Sequence, residues 1–433
     1  MLLLYQRIKR QKRTTADKYR KERLYLISPE LLCPAGDNER LQAALQFGAD
    51  AVYLGGSAFT MRAAPQNFAG ENLINAVKDA HKRGAKVYLT CNTLPRNNEI
   101  PLLPSFLEES ADAGVDAFIV ADVGVLEYCK KYAPGVSVHI STQAGIVNYV
   151  TANAFYNMGA ERIVTAREIS LEDIAEIRAK TPKELQIECF VHGAMCMSFS
   201  GRCLLSNYLV NRDANRGECA QPCRWEYAVM EKTRDGQYFP VEQTNDGTYI
   251  FNSKDMCMIE HIPEMVKAGI DSFKIEGRAK SAYYTAVITN AYRAAIDGFL
   301  KNPTGSYVPE QWITDEVRKV SYRDYCTGFY FDSPSNSANV SFEGGYRREW
   351  DVMAVVKECK NGYILCEQRN KFSVGDTLEA LAPSVKPNAI TVNELLSETN
   401  EPLLNVPHAM MIFKIKSDMI LPKGTILRKQ SGK

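Results

Sequence analysis

Eight times between Glu30 and Arg278 a short apolar run gives way to an amphipathic stretch, and few folds accommodate that rhythm. The runs are Leu31–Gly36, Ala51–Gly56, Lys86–Asn92, Ala117–Asp122, Ser137–Thr142, Arg162–Arg167, Leu185–Gly193 and Ser272–Arg278. Short apolar runs bounded by turn residues read as strands, and the stretches between them have helical period. Gly48, Gly84, Gly114, Gly159 and Gly269 each stand just before the Ala, Val or Ile that leads into the next run. Glycine there closes a helix in the left-handed conformation, so these residues mark helix ends in step with the repeat. Eight βα units in about 270 residues predict an α/β chain folded as a (β/α)₈ TIM-type barrel. A doubly wound open sheet is the alternative, but no Gly-rich dinucleotide fingerprint follows the first run.

The rhythm breaks after the seventh run, over residues 194–258, in a Cys-, Arg- and Asn-rich insertion with a hairpin expected around Asn245-Asp246-Gly247. An insertion at the C-terminal end of a barrel strand lies on the face where such barrels do chemistry. From about Arg347 the chain changes to short alternating runs separated by turns, which predicts a small all-β barrel domain. The expected organisation is a basic extension at residues 1–28, a barrel at 29–300 carrying the insertion, a linker at 301–346 and the β-barrel domain at 347–433.

Lys and Arg number 52 against 51 Asp and Glu, so generic polyanion binding is excluded and a nucleic-acid surface has to be local. Hydrophobic residues at 45% and charged ones at 24% exclude a disordered or collagen-like chain. The first 23 residues are strongly basic, with only Asp17 and Glu22 as acids, and read most simply as a solvated tail. Their apolar stretch, Met1 to Tyr5, is short and precedes the charge, the reverse of a secretory signal. No run of about 18 apolar residues occurs, which predicts a cytoplasmic protein without a membrane span. In a reducing compartment the 12 cysteines are expected to be buried, to bind metal or to react, and not to pair as disulfides.

Four of them, Cys196, Cys203, Cys219 and Cys223, fall within 28 residues of the insertion. Four thiolates in one loop suffice for a cubane iron-sulfur cluster or a structural zinc. The spacing lacks the paired Cys-x₂-Cys knuckles of most zinc ribbons, which weighs toward iron and sulfur, with zinc and unliganded thiols as alternatives. Gly193, Gly201 and Gly217 allow the backbone to approach a bulky inorganic core, and Pro222 stiffens the last ligand pair. Cys33, Cys91 and Cys189 in strands, Cys129 in a helix and Cys366 in the β domain read as small buried apolar residues. Cys257, Cys326 and Cys359 carry no such assignment.

The run Glu188-Cys189-Phe190-Val191-His192-Gly193-Ala194-Met195-Cys196, with Gly201-Arg202-Cys203-Leu204-Leu205-Ser206 after it, resembles the signature of peptidase family U32, the collagenase-like proteins. Glu30–Gly36 and Phe273–Arg278 also look like that family, and the resemblance covers about residues 29–430. Within it the chain is most similar to bacterial tRNA hydroxylation proteins, which make 5-hydroxyuridine at the anticodon wobble position in a prephenate-dependent reaction. The resemblance implies that Cys196, Cys203, Cys219 and Cys223 ligate a 4Fe-4S cluster and that prephenate is the co-substrate. It further implies a tRNA anticodon loop as partner, with a paralogous subunit as an optional one.

For an RNA-modifying enzyme, a single-stranded base must be splayed into a pocket and its phosphates held by cations. Arg202, Tyr208, Arg212, Arg216, Arg224 and Trp225 offer such groups, and a solvated loop is the plain alternative for each. Planar guanidinium groups suit the two carboxylates of prephenate, and Arg278 and Arg167 at strand ends are the expected clamps. His192, at the end of the seventh strand, is the expected general acid/base or cluster neighbour, with a satisfied structural histidine as the alternative. Glu188 and Glu276 are further catalytic candidates that need cations or hydrogen bonds if buried, and Asp37 and Gln143 are weaker ones. Three other functions are carried beside this one: a peptidase, a ribosomal RNA hydroxylase, and a non-catalytic RNA- or ribosome-binding module holding zinc. Neither a His-Glu-x-x-His helix nor a Gly-x-Ser-x-Gly elbow is present for proteolysis, which leaves only a Cys/His pair built from His192.

Overall fold

The apolar runs form strands and the amphipathic stretches helices in a computed structural model. It describes residues 28–61, 67–196, 198–225, 243–244, 247–248, 254–303, 306–331 and 346–431. The basic extension up to residue 27 lies outside these. In chain order come β1 (Glu30–Ala35), α1 (Asn38–Gln46), β2 (Ala51–Gly55), α2 (Glu71–Lys82), β3 (Lys86–Cys91), α3 (Leu103–Asp112) and β4 (Ala117–Val120). Next are α4 (Val123–Tyr132), β5 (Ser137–Ile140), α5 (Tyr149–Asn157), β6 (Arg162–Val164), α6 (Leu171–Lys180) and β7 (Gln186–Ala194). The insertion holds α7 (Leu205–Val210), the hairpin strands β8 (Gln243–Thr244) and β9 (Gly247–Thr248), and β10 (Asp255–Cys257). Then α8 (Ile262–Lys267), β11 (Ser272–Ile275) and α9 (Ala282–Lys301) complete the repeat.

Strands β1 to β7 pair in sequence, all parallel, and β11 joins β1 to β7, so the eight-stranded barrel is closed. All five glycines expected at helix ends have positive φ. Asp37 caps α1, its carboxylate accepting the Arg40 amide at 2.9 Å, so this candidate holds a helix end and does not line the cavity described below.

The outward faces of the strands and the helices share one large apolar core, whereas the barrel interior is divided. One part is a small apolar layer of Leu32, Ala51, Tyr53, Tyr88, Ala117 and Ile119. The other is a chain of ions. Arg162 contacts Glu30 at 2.6 Å and Glu188 at 3.0 Å, and Glu188 contacts Lys274 at 2.7 Å. Two carboxylates and two cations cancel there, which is how charges become tolerable in an interior where a lone one costs several kcal/mol. The Arg162 guanidinium holds the Glu30 carboxyl below its usual range against the opposing effect of burial, and Tyr88 and Ser272 donate to the same carboxylate.

Strand β7 carries a bulge. Glu188, Cys189 and Phe190 pair with Ser272, Phe273 and Lys274, but Ile275 then pairs with His192, so Val191 is extra. One additional residue reverses the alternation of side chains beyond it.

The insertion returns to the barrel through β10, which runs antiparallel to the end of β7. Residues 301–346, expected as a linker, contribute α10 (Gln311–Glu316) and β12 (Tyr325–Cys326), which pairs with β10. Ile313, Val317, Val320, Tyr322 and Tyr330 of this segment are buried in the barrel's outer core, and the Tyr330 hydroxyl donates to the Phe190 carbonyl at 2.6 Å.

The C-terminal unit is an eight-stranded antiparallel half-barrel. Its strands are β13 (Trp350–Lys360), β14 (Tyr363–Gln368), β15 (Thr377–Leu381), β16 (Asn388–Thr391), β17 (Leu395–Ser397), β18 (Pro402–Leu403), β19 (Ile412–Lys416) and β20 (Ile426–Gln430), in the order β16-β15-β20-β13-β14-β19-β17-β18. Alternate residues such as Ile364 and Cys366 face a separate core with Phe413 and Leu427. Arg428 ties this unit to the barrel. Its guanidinium, wholly buried, contacts Glu316 of α10 at 2.5 Å and Glu379 of β15 at 2.9 Å. Among the described residues no helix is long and apolar enough to cross a membrane.

Candidate active site

At the C-terminal ends of the strands the interior opens into a cavity of about 620 Å³. Its floor includes Tyr53 of β2, Ile119 of β4, Phe190 of β7 and Lys274 of β11. Thr90, Asn92, Gln143, Arg167, Glu276 and Arg278 stand around it, at or just beyond strand ends, and the insertion forms its roof. This is the face on which barrels of this kind assemble their active sites, because loops there converge from every strand.

All four insertion cysteines, Cys196, Cys203, Cys219 and Cys223, line this one cavity, although up to 27 residues separate them in sequence. None is in a disulfide, and all are at least partly accessible. The backbone amide of Gln221 donates to the Cys219 sulfur at 3.3 Å. Cys33, Cys91, Cys129, Cys189 and Cys366 are buried as expected. Burial pushes the thiols of Cys33, Cys129 and Cys189 up to about 12. Among the described residues no three His, Cys, Asp or Glu side chains converge closely enough to hold a single metal ion.

Two glycines permit the close approaches that shape the cavity. Gly193 has a φ of +107°, and a Cβ there would stand 2.5 Å from the Glu276 carbonyl oxygen. Gly201 has a φ of +73°, with the Gln143 side chain 2.3 Å from where its Cβ would lie, so the roof meets the end of β5 directly.

Arg167 and Arg278, the expected clamps, both line the cavity. The Arg167 guanidinium lies 3.8 Å above the Phe190 ring, donates to the Ala194 carbonyl at 2.8 Å and contacts Glu276 at 3.5 Å. Arg278, almost fully buried, donates to the Thr90 hydroxyl at 2.9 Å. Glu276 lines the cavity beside Arg167, and Gln143 lines it too.

Glu188 and His192 do not line it. Glu188 is sealed beneath the floor with Arg162 and Lys274, the cations its burial required. His192 is turned outward by the Val191 bulge and packs among the rings of Tyr284, Tyr292 and Tyr325, with centroids 5.3 to 6.1 Å away. Burial lowers its pKa to about 3, which keeps the ring neutral and corrects its expected part as an acid/base in the cavity. Arg202 is exposed and outside the cavity lining, and the side chain of Arg224 lies outside the described residues. Arg216 is bonded to the Leu94 carbonyl and to Glu99, while Tyr208 is largely exposed on α7.

Sequence reasoning missed Lys274, Asn92 and Lys280 in the lining. For Lys274 a signal existed: Ser272, Lys274, Glu276 and Arg278 are spaced by two, and side chains so spaced share one face of a strand.

A family model described as "Peptidase family U32" matches residues 36–339, and one described as "Peptidase family U32 C-terminal domain" matches residues 348–428. The chain is 35% identical to "tRNA hydroxylation protein P1" of Bacillus subtilis, over 94% of this chain and 96% of that one. It is 34% identical to "tRNA hydroxylation protein P" of Escherichia coli, over 83% and 87% of the two chains. An uncharacterized protease of Methanocaldococcus jannaschii is 42% identical, over 82% of this chain and 86% of that one. The barrel with its cysteine roof and the half-barrel behind it thus coincide with the two matched regions, and the chain belongs to peptidase family U32.

Proposed function

We propose that this protein is a tRNA-modifying enzyme that hydroxylates the wobble uridine to 5-hydroxyuridine. In this reading prephenate is co-substrate, and a 4Fe-4S cluster is held by Cys196, Cys203, Cys219 and Cys223. The observation that carries the reading is the meeting of four thiols and four cations in one cavity: among the described lining residues, Arg167, Lys274, Arg278 and Lys280 stand against a single carboxylate, Glu276. Two relatives matched over most of their length bear tRNA hydroxylation names, which supports the nucleic-acid part.

The thiol arrangement suits the cluster. Zinc gathers its ligands about a point, with sulfurs about 2.3 Å from the metal. A cubane takes one thiolate on each of four irons, and four cysteines lining one cavity match it in number. When bound, the cluster supplies one-electron chemistry at the roof. The chain's own residues bind and orient. Arg278, fixed by Thr90, and Arg167, fixed by Phe190 and Ala194, present guanidinium groups to carboxylates. The amides of Asn92 and Gln143 suit the edge of a flipped pyrimidine, and exposed Phe199 and Tyr208 near the roof offer ring faces for stacking.

The name of the archaeal relative favours a peptidase. Against it, no histidine is among the described residues lining the cavity, so no cysteine there has an imidazole base beside it.

The test is mass spectrometry of nucleosides from tRNA of a deletion strain complemented with the native chain or with Cys219→Ala. Restoration of 5-hydroxyuridine derivatives by the native chain alone is the expected result. A tRNA profile unchanged by deletion, with a hydroxylated nucleoside lost from ribosomal RNA, would move the substrate to the ribosome.

A further inference from the structure

The ion chain inside the barrel ends on a residue to which the reading above gives no task of its own. Glu30, Arg162 and Glu188 lie below the cavity floor, and only the last member, Lys274, reaches the lining. Its ammonium is almost fully buried, 2.7 Å from Glu188, with the ring centroids of Tyr53 and Phe190 at 4.6 and 5.5 Å. An ammonium has three donors, and the Glu188 contact engages one. Held by a carboxylate below and flanked by two aromatic faces, the group has little freedom to turn, so its position on the floor is set before any ligand arrives.

We propose that Lys274 binds a carboxylate of the co-substrate at the cavity floor, acting with Arg278 on the wall; this rests on the dicarboxylate co-substrate reading. Arg278 reaches across to Thr90 of β3 while Lys274 rises from β11, so the two cations offer separate positions to a molecule with two separated carboxylates. Arg167, held by Glu276 and the Ala194 carbonyl, stands beside them as a further cation of the lining.

The test is calorimetric titration of prephenate into the full-length, cluster-loaded protein and two variants. Lys274→Met keeps the length of the side chain and removes its charge. The double variant Lys274→Met with Glu188→Gln also removes the carboxylate charge that Lys274 balanced, leaving Arg162 with Glu30, and so provides a second route to a folded protein. Loss of one charge-assisted contact to a ligand weakens binding about 10- to 100-fold. Weakening of at least about tenfold in a folded variant supports the assignment. A smaller change overturns it and leaves the co-substrate reading standing, whereas native protein that binds no prephenate overturns both. Hydroxylation itself is judged separately by the nucleoside analysis.

Discussion

Phe190 and His192 stand two residues apart on β7 and face opposite sides of the barrel wall, because Val191 bulges between them. Phe190 lies on the cavity floor, and His192 is enclosed by tyrosines. Burial of the ring sets a pH dependence of stability. The folded pKa is near 3, while an unfolded histidine titrates near 6.5. Between those values the unfolded chain binds a proton that the folded one refuses, so stability falls as pH is lowered through this window, by up to about 1.4 kcal/mol per unit. His192→Phe is expected to flatten that slope by one proton. Urea denaturation at several pH values measures it, and identical slopes would refute the assignment.

Glu188 is held between Arg162 and Lys274 with its side chain wholly sealed from water. Glu188→Leu should cost roughly 3–5 kcal/mol, since it leaves two buried cations facing only Glu30. Adding Lys274→Met restores the charge balance and should recover most of that loss, a coupling that a double-mutant cycle reads directly.

The 12 cysteines divide by accessibility. In metal-free native protein, brief alkylation followed by peptide mass spectrometry should label Cys196, Cys203, Cys219 and Cys223 and spare Cys33, Cys129 and Cys189, whose thiols are buried and hard to ionise. Reconstitution with iron and sulfide should bring about four irons per chain and protect the four roof thiols. Labelling of those thiols at an unchanged rate would exclude them as ligands.

Arg428 joins the half-barrel to the barrel through Glu316, itself buried, and Glu379, with the Trp350 ring centroid 5.2 Å from its guanidinium. Arg428→Met leaves Lys319, 3.0 Å from Glu316, as the remaining cation of that carboxylate, so the expected loss is smaller than the roughly 3–5 kcal/mol of a fully stranded buried charge. The expected outcome is a lower urea midpoint than in the native chain, and an unchanged midpoint would refute the role of this contact.

The eight strands were legible because each buries its apolar run and five of the helices between them end on glycines with positive φ. Except in β7, which runs one residue further than expected, their C-terminal limits were drawn one to three residues too far. Ser141, Thr142, Arg167 and Arg278 continue the runs in sequence but leave the ladder to surround the cavity. That the four insertion cysteines, Arg167 and Arg278 would gather at one end of the barrel was likewise readable from position. His192 was not, since Glu188, Phe190 and His192 alternate evenly in sequence and the bulge exists only in the pairing with β11. Strands β10 and β12, three and two residues long, are too short to show any period and arise from tertiary pairing alone.

Glu30, Arg162, Glu188 and Lys274 come from four different strands, spread along most of the barrel sequence, and their charges cancel only as a set. Evolution cannot readily trade one of them by itself, because every single neutralisation strands a charge in the interior. The four are one heritable character, to be kept whole or exchanged in opposite-signed pairs, and drift at any of these positions must pass through a compensating change at another.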